Sequence, residues 1–222
     1  MTPPERALEQ KARMLAAVRA DPAPARRDVE RRDVGTVVAA GLLTLVIFLA
    51  VGGPHATARP LSLVLASTFA WSVIAATLTG LALRRGRSML GAPRSWLVAA
   101  SVVVAPLLAI GWFALPSSVV LVAVPHAYDV DARCFLVTIA FALAPFVAFL
   151  ALRREGDPVS PRVTAAATGA AAGAWGAVLI DLHCEMTDPR HVVLGHVLPV
   201  GLLVVLGALA GSSLAIRAAR RR

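Results

Sequence analysis

The sequence predicts an all-α, polytopic membrane protein: six transmembrane helices with both termini cytoplasmic, preceded by a short N-terminal cytoplasmic amphipathic helix. Three observations carry that expectation. The 222-residue chain is 58% hydrophobic and only 16% charged, with a mean hydropathy of +0.73, which is too apolar for an ordinary soluble domain. Its apolar residues fall in six runs, Val34 to Val51, Leu61 to Leu83, Trp96 to Leu115, Cys134 to Leu152, Val163 to Leu182 and Val192 to Ile216, each near the ~20 residues a helix needs to cross the hydrocarbon layer. Ala, Leu and Val dominate them without the two-residue alternation of a membrane barrel. Finally, of the 22 Lys and Arg, 19 lie in the N-terminal tail, the second and fourth loops and the C-terminus, leaving Arg59, Arg133 and Arg190 for the other side. The positive-inside rule then puts both ends of this multi-pass chain in the cytoplasm.

Residues 1–33 form the first region. Thr2-Pro3-Pro4-Glu5 has the order of a helix start, with Thr as N-cap, Pro at the first turn and Glu closing a capping box. The helix is expected to run to about Ala20, and Leu8, Ala12, Leu15 and Val18 recur along it at three- and four-residue steps. Asp21-Pro22-Ala23-Pro24 ends it, and Ala25 to Asp33 is a charged linker. So short a helix needs something apolar to lie against, either the bilayer surface or a partner's groove. The acids Glu5, Glu9 and Asp21 on its polar side favour the partner. With a charged start and no signal-peptide layout, no cleavage is expected.

Residues 34–216 form the transmembrane region. No Asp, Glu, Lys or Arg lies inside the six runs away from an end, and His196 is the only deep ionisable residue. That weighs against pumps, proton-coupled transporters and channels, which need charge or a polar path at mid-depth. Ala165, Gly169 and Gly173 on the fifth helix, and Gly207 and Gly211 on the sixth, are small-residue stripes for close helix packing, with a homo-oligomer face as the alternative. Pro106 and Pro145 are expected to kink the third and fourth helices. Residues 217–222 are a basic cytoplasmic tail, whose arginines serve topology and contact with anionic lipid. No DNA-binding motif accompanies the charge, so no direct nucleic-acid partner is expected.

All five His and both Cys fall on the side opposite most of the basic residues. Cys134 opens the fourth helix and Cys184 closes the fifth in Asp181-Leu-His-Cys-Glu-Met-Thr-Asp-Pro-Arg-His191. Joined by a short loop, these helices should be antiparallel neighbours with both sulfurs at one level. There they form a structural disulfide, a redox- or metal-responsive pair, or two unrelated thiols. His183, Cys184, His191 and His196 are a candidate metal set, with a metal ion as the candidate cofactor and none required. Residues 191 and 196, five apart, are not expected to share one α-helical face. His55 and His126 are bystanders. No triad, phosphate loop or carboxylate pair with credible geometry appears, so no enzyme is expected. A membrane redox, metal- or haem-binding protein using the outer Cys and His is the alternative function.

Six helices with both ends inside, a short cytoplasmic N-terminal helix, Cys134 at the outer start of helix four and a Leu-His-Cys segment ending in Cys184 at the outer end of helix five resemble the NrsF-like membrane anti-sigma factors of bacteria. The Arg-rich composition and the His191/His196 pair are also similar to the light-response anti-sigma proteins of myxobacteria. The resemblance implies a membrane-bound anti-sigma factor in stress or light signal transduction. Such a protein sequesters an extracytoplasmic-function sigma factor at the inner membrane and releases it on a metal, oxidative or light-related signal, repressing transcription until then. The binding segment would be Thr2 to Asp33 and the sensing pair Cys134 and Cys184. Because the tail has neither Cys nor His, sensing within the tail is not expected.

Overall fold

A computed structural model describes residues 26–54, 60–83, 93–113, 128–153, 160–184, 186 and 188–220. The stripe Leu8, Ala12, Leu15 and Val18, and His55 and His126, lie outside the described residues. Among the described residues the helices are α1 (Arg26–Val51), α2 (Leu61–Leu83), α3 (Arg94–Phe113), α4 (Tyr128–Arg153), α5 (Pro161–His183), the short α6 (Pro189–Val192), a π-helical turn π1 (Val193–Val197) and α7 (Leu198–Arg220). No strand occurs among them. Among the described residues six stretches are long and apolar enough to cross a membrane: Arg31–Val51, Leu61–Leu83, Arg94–Gly111, Val130–Arg153, Pro161–His183 and Pro189–Ser213. The sixth is α6, π1 and the first part of α7 in continuation.

Two boundaries differ most from the sequence expectation. Residues 26–33 are helical and continuous with the first span rather than a linker, because Arg and Glu are good helix formers and no Pro follows Pro24 to stop the helix. The fourth helix begins six residues before Cys134, at Tyr128. Hydropathy marks where a helix meets lipid, whereas the helix itself continues through polar residues that wet its end. As a result Cys134 has a turn and a half of helix ahead of it, including Asp131.

The bundle in Val37–Arg222 is built around α5. Of its most apolar window 83% is buried, against 17% for each of the first two spans. It packs against α2, α3, α4 and α7, and its composition fits that position: Ala170, Ala171, Ala172 and Ala174 are fully buried, where larger side chains would hold the surrounding helices off. By contrast α1 to α3 turn Leu42, Leu43, Val46, Leu65, Phe69, Val102 and Ile110 outward. So much exposed apolar side chain would be an aggregation hazard in water and is the expected surface in lipid.

The backbones of α5 and α7 approach each other closely. A methyl group added at Gly169 would run into the backbone of Leu203, and one at Gly207 into the carbonyl of Ala165. Both stripes from the sequence therefore meet each other. Hydroxyls within the spans bond back to their own helices, as Thr44 does to the Ala40 carbonyl at 2.8 Å, Thr79 to Ala75 at 2.7 Å and Ser101 to Leu97 at 2.8 Å, so they need no water. Pro106 and Pro145 lie inside α3 and α4, which run through them.

Polar contacts tie different helices together. The Trp175 indole N–H donates to Thr79 Oγ1 at 3.0 Å. Arg153 Nε donates to the Ala82 carbonyl at 2.6 Å, joining the C-terminal ends of α4 and α2. Ser67 and Thr68 donate to Asp181 Oδ2 at 2.7 and 3.2 Å. Asp181 is only 1% exposed, which makes it a buried carboxylate near the end of α5. His196 is therefore not the only ionisable residue buried in the apolar runs, as the sequence suggests, because Asp181, though close to a helix end, is covered by α2.

Candidate functional site

Cys184 is the C-cap of α5. Its N–H still donates to the Ile180 carbonyl at 2.8 Å, but its backbone is extended, with φ −99° and ψ 129°. Consecutive residues at such a break point apart. His183, the last helical residue, turns to Gly53, with Nδ1 2.9 Å from that carbonyl, and lies edge-on to Phe141 at a centroid distance of 5.9 Å. Cys184 turns toward α4, where its Sγ is 4.0 Å from Cys134 Sγ. The two are thiols in contact and not a disulfide, whose sulfurs would be about 2.05 Å apart. Cys184 is buried and Cys134 half-buried.

The sixth span brings two imidazoles to the same place. Asp188 caps α6, its Oδ1 accepting the His191 N–H at 3.0 Å, with Pro189 in the first turn. The helix then widens into π1, whose i→i+5 bonding is seen where the Leu198 N–H donates to the Val193 carbonyl. A cause lies in the sequence. Pro199 has no N–H for the Gly195 carbonyl four residues earlier, and its ring would crowd that carbonyl in a regular α-helix. The released oxygen is served from another helix: Thr138 Oγ1 lies 2.9 Å from Gly195 O and 2.8 Å from Cys134 O, so its single proton serves either.

The wide turn overturns the expectation that residues 191 and 196 face apart. That inference assumed α-helical spacing. With a π turn beginning just after His191, the two rings meet edge to face, 5.1 Å between centroids at 84°, and both residues are fully buried. Gly195 permits the approach of α4, since a Cβ there would lie 3.1 Å from Cys134 Cβ and 3.6 Å from His191 Cε1.

Four ligand atoms thus converge, one each from Cys134, Cys184, His191 and His196, all within 4.8 Å of one another. His191 Nε2 is 3.3 Å from Cys184 Sγ. Its other nitrogen, Nδ1, is 2.7 Å from Asp131 Oδ1. A carboxylate only accepts, so Nδ1 carries a proton, and in the neutral ring Nε2 presents its lone pair to the sulfurs. This cluster could hold a metal ion. Of the sequence-derived set His183, Cys184, His191 and His196, the structure brings together the last three, adds Cys134, and puts His183 on a different contact.

Asp131, Thr138, Gly195 and Pro199 did not stand out in the sequence. Asp131 had a readable signal: it lies three residues before Cys134, on the same face once the helix is known to begin at Tyr128. Pro199, four residues after Gly195, was also readable as a helix irregularity inside an apolar run. Thr138 had no signal, because its role depends on which helix packs opposite.

The family model described as "Negative regulator of sigma F" (NrsF) matches residues 17–216 of the chain. No curated protein and no solved structure matches it.

Proposed function

We propose, since the chain belongs to the NrsF family of negative regulators of sigma F, that it is a membrane-bound anti-sigma factor. It holds an extracytoplasmic-function sigma factor at the bacterial inner membrane and frees it when a signal reaches the far side. The observation that carries this reading is the family match over residues 17–216, which spans all six apolar helices. A regulator of this kind needs no catalytic group.

Capture falls to residues 1–33 on the cytoplasmic side. Leu8, Ala12, Leu15 and Val18 form the apolar stripe that a sigma factor's groove would cover. Only Val18 of the four lies inside the matched residues, so the stripe rests on helical spacing and on the mixed charge of its polar face. Signal reception falls to Cys134 and Cys184, whose sulfurs already touch. Their surroundings support the assignment: a thiol pair among buried imidazoles is chemically responsive in a way that the apolar bundle is not.

The test is co-purification of the full-length chain from detergent with the sigma factor expressed beside it. Leu8→Asp, Leu15→Asp and Val18→Asp together should abolish capture while leaving membrane insertion unchanged. Undiminished capture by that triple variant overturns the tail assignment. Cys134→Ser with Cys184→Ser should retain capture and lose release, and release by every metal, oxidant or light stimulus in that variant would remove the pair from signalling.

A further inference from the structure

We infer that Cys134, Cys184, His191 and His196 form a closed, four-coordinate binding site for a thiophilic divalent cation of the zinc class. The donor set is two sulfurs and two imidazoles, the combination that selects zinc-like ions in tetrahedral geometry. Hard cations are disfavoured, since they require several oxygens and the neighbouring carboxylate of Asp131 is engaged with His191.

The distances suit this use. Metal–sulfur bonds of about 2.3 Å and metal–nitrogen bonds of about 2.0 Å give tetrahedron edges of about 3.3–3.8 Å. The Cys184 to His191 separation is 3.3 Å and the Cys134 to Cys184 separation 4.0 Å, and no pair of the four ligand atoms exceeds 4.8 Å. Closing on an ion requires movements of about an ångström or less. Forming a disulfide would require the sulfurs to approach by about 2 Å.

Asp131 completes the arrangement from outside. A carboxylate on the far nitrogen of a ligating histidine fixes its tautomer and ring orientation and raises its basicity, and the 2.7 Å contact to His191 Nδ1 has that form. Both imidazoles are fully buried and Cys184 nearly so, leaving no open coordination position for a water substrate, as in a structural rather than a catalytic site. The ligands come from α4, the end of α5, α6 and π1. An ion would therefore clamp three spans at one end of the bundle, and its arrival or loss would change how they are held. That consequence for signalling rests on the regulatory reading above, but the binding does not.

Cobalt(II) is the probe. The full-length chain in detergent, reduced and stripped with chelator, should bind one cobalt ion per chain. The spectrum should show a thiolate-to-cobalt charge-transfer band and the strong visible bands of tetrahedral coordination, both removed by added zinc. Cys134→Ser and Cys184→Ser, near-isosteric and expected to fold, should each weaken the charge-transfer band, and together abolish it. His191→Ala and His196→Ala should each lower affinity at least tenfold, and Asp131→Asn by about 10–100-fold, while His183→Ala leaves it unchanged. Zinc should also slow alkylation of both cysteines by iodoacetamide in the unsubstituted chain, a readout independent of any variant's folding.

A chain without a stoichiometric cobalt band and without zinc protection of its thiols overturns the site. So does a spectrum indifferent to His191→Ala and His196→Ala. Sigma-factor capture measured on the same preparation keeps the two readings apart. Capture without cobalt binding defeats the metal site alone, and cobalt binding without capture defeats the anti-sigma reading alone.

Discussion

The contact between α5 and the sixth span is constructed in two different ways along its length. Over Gly169, Gly207 and Gly211 the two helices touch backbone to backbone, and at Gly173 the Val200 side chain fills the space a Cβ would take, with regular α-helix on both sides. Toward the other end, beyond Val200, the span widens into π1, α5 stops, and polar side chains from α4 enter the gap. One half of the interface gains its stability from close van der Waals packing, which lipid does not weaken. The other half gives up regular hydrogen bonding to bring two thiols and two imidazoles together. A rigid seam beside an irregular end is the division that the proposed regulator would use, holding its fold while one cluster responds.

The sharpest way to break the comparison is to add atoms to the seam. Gly169→Leu would drive a side chain into the Leu203 backbone, where neither helix can yield by changing a rotamer. A loss of about 3 kcal/mol or more is expected, the upper end for overpacking, seen as aggregation in place of a monodisperse species on size exclusion. If that variant remained monodisperse with an unchanged melting temperature, the seam would not be what holds the sixth span.

The seam was legible in the sequence and the irregular end only half so. Four-residue spacing of small residues states its meaning directly, because close packing is the one thing such a stripe is good for. The six spans were legible for the same kind of reason: bilayer thickness fixes their length and lipid fixes their composition. Cys134 and Cys184 could be set at one level by counting helices. What could not be read was how His191 and His196 meet: Pro199 marks an irregularity, but the form it takes, a π turn met by Thr138 from α4, depends on which helix packs opposite. Asp131 was overlooked because polar residues before an apolar run look like loop, although they continue the helix.

Asp181 offers a smaller test, in the polar part of the bundle. Its buried carboxylate accepts from Ser67 and Thr68, and Asp181→Ala would take that acceptor from Thr68 and leave Ser67 only the Val64 carbonyl of its own helix, 3.1 Å away. A loss of about 1–3 kcal/mol is expected, measured as a lower thermal midpoint in detergent. Asp181→Asn, which keeps an acceptor oxygen, should recover most of it. Equal losses in the two variants would mean that the hydroxyl contacts contribute nothing. Thr138→Val should cost about 1 kcal/mol by leaving the Gly195 carbonyl with one partner fewer, and a midpoint unchanged from the unsubstituted chain would show that Thr138 does not pin π1 to α4.

The substitution with the least expected effect on stability separates the two halves most cleanly. Pro199→Ala restores an N–H four residues after Gly195 and removes the ring that crowds its carbonyl, so the sixth span can close into regular α-helix through residues 193–197. Stability gains a backbone hydrogen bond and loses the Thr138 contact, and the net change should stay within about 0.5 kcal/mol. The geometry does not survive so easily. Removing the bulge shifts the register by one residue, which in a helix of 3.6 residues per turn is a rotation of about 100°. Such a rotation carries His196 off the face it shares with His191. Cobalt affinity should therefore fall at least tenfold with the thermal midpoint nearly unmoved. A variant that kept both would show that packing from α4, through Thr138 and the close approach at Gly195, shapes the turn, and that the proline merely accommodates it.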